Sequence, residues 1–303
     1  MRIVFMGTPD FAVAALDKLI KAKKNIVGVI TATDKFGGRG GKKLIQSSVK
    51  KYALEHDLNV LQPKNLKAPE FIKELKDLNA NLQVVVAFRM LPEVVWSMPN
   101  KGTFNLHGSL LPQYRGAAPI NWAVMNGEQV TGVTTFFLQH AIDTGDIISQ
   151  KNLPIGADDT AGIVHDKMMH LGADLILETV EAIEKETVSS IPQDDSLVSE
   201  APKIFKETCE INLNQSINKV YDFVRGLSPF PTAWTTLDSK MLKIYACTKV
   251  LKKRADGISD FETDGKSYLH LWAEDGYLDI TDLQIQGKKR MVIRDFLNGY
   301  TFN

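Results

Sequence analysis

Asn105 and His107 stand two residues apart at the end of an apolar run that opens at Phe104. On a strand, that spacing puts both side chains on one face. An amide donor beside an imidazole, both at a strand end, can bind an oxyanion and handle a proton. The same pair also fits a loop-capping amide and a half-buried packing histidine. A carboxylate, Asp143, follows in the corner Ala141-Ile142-Asp143-Thr144-Gly145-Asp146. It is placed to orient His107 or to pass a proton through water. An Asp shortly before a Gly is equally ordinary turn chemistry.

Elements must deliver these groups to one place. Residues 2–6 alternate with β-favouring side chains and stop at Gly7, and residues 26–30 make a second strand. Between them Thr8 is expected to cap a helix with Pro9 at its first position and Asp10 in its first turn. Ala12, Ala15, Leu16, Leu19 and Ile20 recur at helical spacing, so the segment reads as a βαβ unit of a parallel sheet. Residues 82–88, LQVVVAF, are apolar except for Gln83, as suits a central parallel strand buried on both faces. Helices are expected over 49–56, 69–78 and 160–185, the last burying Ile163, Met168, Leu171, Leu175 and Ile176. The first turn lacks GxGxxG, which leaves only the βαβ pattern in favour of dinucleotide binding.

After Glu186 the texture changes. Residues 189–202 are polar with prolines near both ends, a linker composition. Beyond it come a helix over 214–226 and short runs at 233–237, 242–250, 268–272, 277–283 and 291–292, separated by glycine-bearing turns. That pattern predicts a small antiparallel, OB-like barrel. The expected class is therefore α/β: a Rossmann-like parallel-sheet domain over 1–188, a linker over 189–206 and an OB-like domain over 207–303.

Composition excludes little. The formal net charge of the 303 residues is zero, so a nucleic-acid partner must be met by local patches. The clearest is 33–43, TDKFGGRGGKK, where four glycines leave little intrinsic structure and Lys35, Arg39, Lys42 and Lys43 make the loop basic. It reads as a mobile arm that orders on a phosphate backbone, or as a solvated loop. Lys249, Lys252, Lys253 and Arg254 form a second cluster, and Lys288, Lys289 and Arg290 a third. Cys209 and Cys247 lie far apart and outside CxxC, and His165 and His170 lack metal-ligand spacing, so no disulfide or metal is expected. No apolar run reaches membrane length, and a reducing cytoplasm is the expected compartment.

The run Asn-x-His-Gly-Ser-Leu-Leu-Pro-x-x-Arg-Gly-Ala-Ala-Pro over 105–119, with Asp-Thr-Gly-Asp over 143–146, resembles the folate-dependent formyltransferases. Within them it is most similar to the methionyl-tRNA formyltransferase family, as are Gly7-Thr8-Pro9-Asp10 and the surroundings of Arg39. The resemblance spans the whole chain. It implies formyl transfer from 10-formyltetrahydrofolate to the α-amino group of methionyl initiator tRNA. Asn105, His107 and Asp143 would be catalytic, and Ser109, Leu110, Leu111 and Pro112 would line the folate side. Arg39, Lys42 and Lys43 would meet the tRNA. No metal or tightly held cofactor is implied, and a monomer is expected. Where the family has one glycine after the loop arginine, this chain has Gly40-Gly41, and at Arg89-Met90-Leu91 it departs from the usual folate wall. Three other readings stay open: a formyltransferase for a small acceptor such as a glycinamide or amino sugar nucleotide, an oxidoreductase, and a non-catalytic RNA-binding protein.

Overall fold

The computed structural model describes residues 1–37, 40–257 and 259–302. Arg39, the arginine singled out in the basic loop, lies outside them. In chain order the elements are β1 (Arg2–Gly7), α1 (Asp10–Lys21), β2 (Asn25–Ile30), β3 (Lys35–Gly37), β4 (Lys43–Ile45), α2 (Ser48–Glu55), β5 (Val60–Leu61) and α3 (Pro69–Asp77). Next come β6 (Leu82–Val86), α4 (Glu93–Trp96), β7 (Thr103–His107), β8 (Arg115–Gly116), α5 (Pro119–Met125), β9 (Val130–Phe137), β10 (Ile147–Pro154) and α6 (Ala161–Glu184). The remainder is β11 (Glu200–Ala201), α7 (Ile217–Gly226), β12 (Ala233–Leu237), β13 (Lys240–Leu251), β14 (Phe261–Thr263), β15 (Leu269–Trp272), β16 (Gly276–Ile285), β17 (Met291–Val292) and α8 (Ile293–Gly299).

The chain divides into two compact units. One comprises Met1–Gly116, Gly132–Leu153 and His165–Glu200; the other comprises Ala117–Thr131, Pro154–Val164 and Ala201–Asn303. The division is discontinuous in sequence, and α5 falls in the same unit as the C-terminal strands.

In the first unit the described strands run in the order β10-β9-β7-β6-β1-β2-β5. β1 pairs in parallel with β2 and β6, β6 with β7 and β2 with β5, while β9 runs antiparallel to β7. All of β6 is buried, as a strand covered on both faces must be. The chain leaves β1 towards β2 and β5, then returns to the other side of β1 with β6, so the order reverses between β1 and β6. Open α/β sheets bind ligands beyond the carboxyl ends of strands at such a switch. Gly7 pairs with Val86, and Val86 with Leu106, which brings the carboxyl ends of β1, β6 and β7 level.

Three local expectations are corrected. Pro9, extended at φ −82° and ψ 177°, is the N-cap of α1, and no side chain caps it, so Thr8 does not take that role. The basic loop has more structure than its glycines suggest: Lys35 pairs with Ile45, Phe36 with Leu44 and Gly37 with Lys43 in an antiparallel hairpin. β-favouring Phe36, Leu44 and Ile45 outweigh the glycines there. Along α6, Met168, Leu175 and Ile176 are fully buried, but Ile163 is 42% exposed, because the buried stripe runs through Ala161 and Val164 in the first turn and leaves Ile163 on the outward side.

In the second unit the described antiparallel strands run β12-β13-β16-β15-β14, with β17 against β16. β13 shifts register on either side of Ala246, and such irregularities bend a long strand so that its sheet curls. The curled antiparallel sheet is the architecture expected of the C-terminal part. Ile217, Val220 and Val224 of α7 lie in one core with Leu242, Ile244, Leu278, Ile280 and Leu283. β14 and α8 were not anticipated from the sequence pattern.

Among the described residues no helix is long and apolar enough to cross a membrane, and no cluster of three metal-ligating side chains occurs. Both cysteines are free thiols, and burial pushes both upward in pKa, Cys247 to about 12. We expect negligible alkylation of either by iodoacetamide at neutral pH in the native protein, read by mass spectrometry. Rapid labelling of the buried Cys209 or the half-buried Cys247 would contradict these raised pKa values.

Candidate active site

β7 places Asn105 and His107 on one face, as their spacing requires. Asn105 lies opposite Phe136 in β9 and Val85 in β6. Among the described residues its side-chain amide has no hydrogen-bond partner. His107 is 6% exposed and meets Phe136 edge-on.

The imidazole is fixed from one side. Its Nε2 lies 2.8 Å from the carbonyl oxygen of Tyr114. A carbonyl only accepts, so Nε2 carries the hydrogen and Nδ1 is left to give or take a proton. Nδ1 faces Asp143 Oδ2 at 3.8 Å, beyond direct hydrogen-bond reach. The sequence reading that Asp143 orients His107 is therefore corrected: the Tyr114 carbonyl orients the ring, and Asp143 stands across a gap from its open nitrogen. A proton reaching Nδ1 turns two facing acceptors into a donor and an acceptor.

Asp143 is itself held. Its Oδ2 accepts from the Gly116 N–H at 3.0 Å, and its backbone is left-handed at φ 55°. Gln193 Nε2 donates to the carbonyls of Asp143 and Gly145, each at 2.8 Å. Gly145 is forced to be glycine, since a Cβ there would lie 1.6 Å from the Phe137 carbonyl oxygen. Arg115, from the Arg-Gly-Ala-Ala-Pro run, bonds Gln193 Oε1 through Nε at 3.0 Å and Nη2 at 2.7 Å, and Asp195 at 2.8 Å.

The intervening loop is built from inside. Ser109 is fully buried, and its hydroxyl donates to the Gln113 carbonyl at 2.6 Å. Thr134 Oγ1 donates to the Ser109 carbonyl at 2.7 Å and accepts from the Leu111 N–H at 3.1 Å. Gln150 Nε2 adds a bond to the Leu111 carbonyl at 2.8 Å. Leu111 and Pro112 are buried and Leu110 is half-buried, so the loop is a scaffold with Leu110 at its margin.

Beyond β6, a groove of about 790 Å³ has Leu66, Leu91 and Val94 in its walls and Lys64, Lys67 and Arg89 among its lining. Arg89 donates to the Lys64 carbonyl at 3.0 Å and to the Pro63 carbonyl, which braces the groove. In the basic hairpin, Lys42 and Lys43 are exposed, as are Phe36 at 75%, Leu44 and Ile45. In the second unit Lys206 lies over the Trp234 ring, Lys243 pairs beside Trp234, and Arg290 lies 4.3 Å from the Tyr245 ring centroid. Arg290 and Arg254 are ion-paired with Asp282 and Asp260, whereas Lys252 and Lys253 are exposed.

Tyr114, Thr134, Gln150, Gln193 and Ser199 were missed by sequence reasoning. Gln193 and Ser199 sit in a segment whose composition reads as a solvated linker, and Tyr114 acts through its backbone, which leaves no side-chain signal.

Comparison with known proteins agrees with this geometry. Residues 1–180 match the formyl transferase family, and residues 203–301 match the formyl transferase C-terminal domain. The chain is 54% identical to a methionyl-tRNA formyltransferase of Bacteroides fragilis, covering 99% of this chain and 95% of that one. It is 48% identical to the methionyl-tRNA formyltransferase of Flavobacterium johnsoniae, covering 100% and 97%. Among solved structures, an N-formyltransferase from Helicobacter canadensis in complex with folinic acid and dTDP-3-aminofucose shares the fold, with a TM-score of 0.66 at 21% identity, covering 92% of this chain and 97% of that one. HypX from Aquifex aeolicus, in complex with tetrahydrofolic acid, superimposes at a TM-score of 0.67 and 18% identity, over 100% of this chain and 48% of that one. By matching both family regions, and by near-full-length identity to these enzymes, the chain belongs to the methionyl-tRNA formyltransferase family.

Proposed function

We propose that this protein moves a formyl group from 10-formyltetrahydrofolate to the α-amino group of methionine on initiator tRNA, with Asn105, His107 and Asp143 as its catalytic residues. The observation that carries this is an Asn105 amide with no partner among the described residues, on the same strand face as His107, whose open Nδ1 turns towards Asp143. The amine attacks the formyl carbon, forming a C–N bond while the carbonyl electrons move onto oxygen. Asn105 donates to that oxyanion, and a proton on His107 Nδ1 supports it. The ammonium proton passes to Asp143, directly or through water. Collapse of the intermediate breaks the bond to folate N10, which takes up, as it leaves, the proton that Asp143 received.

Folate is assigned to the carboxyl ends of β6 and β7. The groove at Lys64–Lys67 and Arg89–Val94 offers an apolar wall and cations, which suits an aromatic ligand ending in a glutamate. Ser109, Leu110, Leu111 and Pro112 bound the folate side. The burial of Ser109 and Leu111 limits direct contact there to Leu110 and the loop backbone.

Arg39, Lys42 and Lys43 are assigned to the tRNA. A hairpin presenting lysines beside exposed Phe36, Leu44 and Ile45 suits a polyanion that also offers base faces. The lysines and aromatics on the curled sheet are a further tRNA surface, so 207–303 is the tRNA-binding domain and 1–188 the catalytic one. A monomer is assigned, and a cytoplasmic reaction, since charged initiator tRNA is the acceptor.

Salt dependence separates tRNA from a small acceptor. Removing both Lys42 and Lys43 is expected to reduce the slope of log affinity for methionyl-tRNA against log salt by about one to two counterions. Arg39→Ala is expected to raise the Michaelis constant for charged tRNA and flatten the same slope, with folate binding unchanged. Parallel slopes for wild type and variants would remove the hairpin from the tRNA site.

A further inference from the structure

The polar segment between the two sequence domains bonds both the Asp143 corner and the loop whose Tyr114 carbonyl holds His107. Gln193 lies 50 residues beyond Asp143, yet its amide nitrogen ties the Asp143 and Gly145 carbonyls together. Its amide oxygen is taken by the Arg115 guanidinium, which fixes the flip of the amide and so aims the nitrogen at the corner. Ser199 holds the other half. Its Oγ accepts from the Tyr114 N–H at 2.9 Å, and its carbonyl accepts from the Arg115 N–H at 2.9 Å.

Tyr114 needs that support. It is 6% exposed and sits in the left-handed region at φ 58°, which a bulky side chain seldom adopts. Only with the peptide turned this way does its carbonyl receive His107 Nε2. Upstream, Ile191 exchanges both backbone bonds with Ile147, so the segment is anchored to the sheet before it reaches the site. Arg115 also reaches Asp195, which closes the strap on itself.

We infer that Gln193 and Ser199 are positioning residues for the transfer: Gln193 sets the Asp143 corner, and Ser199 sets the Tyr114 carbonyl that decides which nitrogen of His107 carries hydrogen. Neither touches substrate. The inference rests on the catalytic assignment of Asn105, His107 and Asp143 made above and adds to it a determinant outside the matched motif. Losing either clamp leaves the three groups present but displaced. Misplacement on the order of 1 Å at a reacting centre costs up to about a hundred-fold in rate.

The test compares Gln193→Leu, Ser199→Ala, Ser199→Thr and Asp143→Asn with wild type at saturating folate and methionyl-tRNA. Gln193→Leu and Ser199→Ala are expected to lower kcat by about ten- to a hundred-fold, with both Michaelis constants unchanged. Ser199→Thr, which keeps the hydroxyl acceptor, is expected to recover. A structural role alone would not move the second readout, the imidazole ¹⁵N spectrum of His107. Wild type is expected to show the Nε2–H tautomer, and Ser199→Ala a mixture of both. Wild-type kcat and an unchanged His107 spectrum in Gln193→Leu and Ser199→Ala, beside an inactive Asp143→Asn, would overturn the positioning role while leaving the site intact. Wild-type turnover in Asp143→Asn as well would overturn the catalytic assignment and this inference together.

Discussion

Replacing Asn105 by alanine is expected to lower kcat for formyl transfer about a hundred- to a thousand-fold, the loss that follows removal of one preorganised oxyanion donor. The substitution is clean because no described residue bonds the Asn105 amide, so nothing in the protein is left unpaired. Folate binding should persist, since Asn105 is not among the residues that line the groove beside Leu91. Asp143→Asn should fall in the same range for a different reason. Asparagine keeps an oxygen for the Gly116 N–H, so the corner stays in place while the carboxylate that takes the proton is gone. Steady-state kinetics with labelled formyl donor, at saturating concentrations of both substrates, give both numbers. Near-normal turnover in either variant would move the chemistry elsewhere.

Gly145→Ala carries the second large effect. Its added methyl would lie 1.6 Å from the Phe137 carbonyl oxygen and 3.3 Å from the Phe136 ring. Because the nearest obstacle is backbone and not the end of a flexible side chain, the corner or the end of β9 must move. Gly145 also offers its carbonyl to Gln193, so displacement breaks a clamp on Asp143. We expect a kcat loss of about a hundred-fold, and overpacking of this kind costs about 1–3 kcal/mol of stability. Thermal unfolding followed beside kinetics separates the two effects. A variant with wild-type kcat would show that the corner tolerates movement and that the placement of Asp143 is not critical.

The parts of the fold that were legible in the sequence are those carried by side-chain pattern. The largely apolar run of β6, the strand–helix–strand start and the spacing of Asn105 and His107 each follow from local pattern. The curled C-terminal sheet was legible because glycine turns punctuate its strands. What could not be read is carried by backbone and by distance. Nothing in the letter Tyr marks residue 114 as left-handed, and its contribution is a carbonyl. Gln193 acts across 50 residues from a stretch whose polarity looks like solvent exposure. The hairpin of β3 and β4 was hidden by its glycines, since three apolar residues decide the pairing and four glycines set the composition. Ile163 fits the helical period yet lies outside the buried stripe, because Ala161 and Val164 carry that stripe through the first turn and period alone does not say which side packs.

The most direct measurement offers the purified protein 10-formyltetrahydrofolate with three acceptors in parallel: methionyl initiator tRNA, a glycinamide nucleotide and an amino sugar nucleotide. The expected result is rapid formylation of the methionyl-tRNA and negligible formylation of either small acceptor. In Asn105→Ala the tRNA reaction should fall about a hundred- to a thousand-fold. Transfer to a small acceptor with methionyl-tRNA left unformylated, or transfer to tRNA undiminished by Asn105→Ala, would contradict the account.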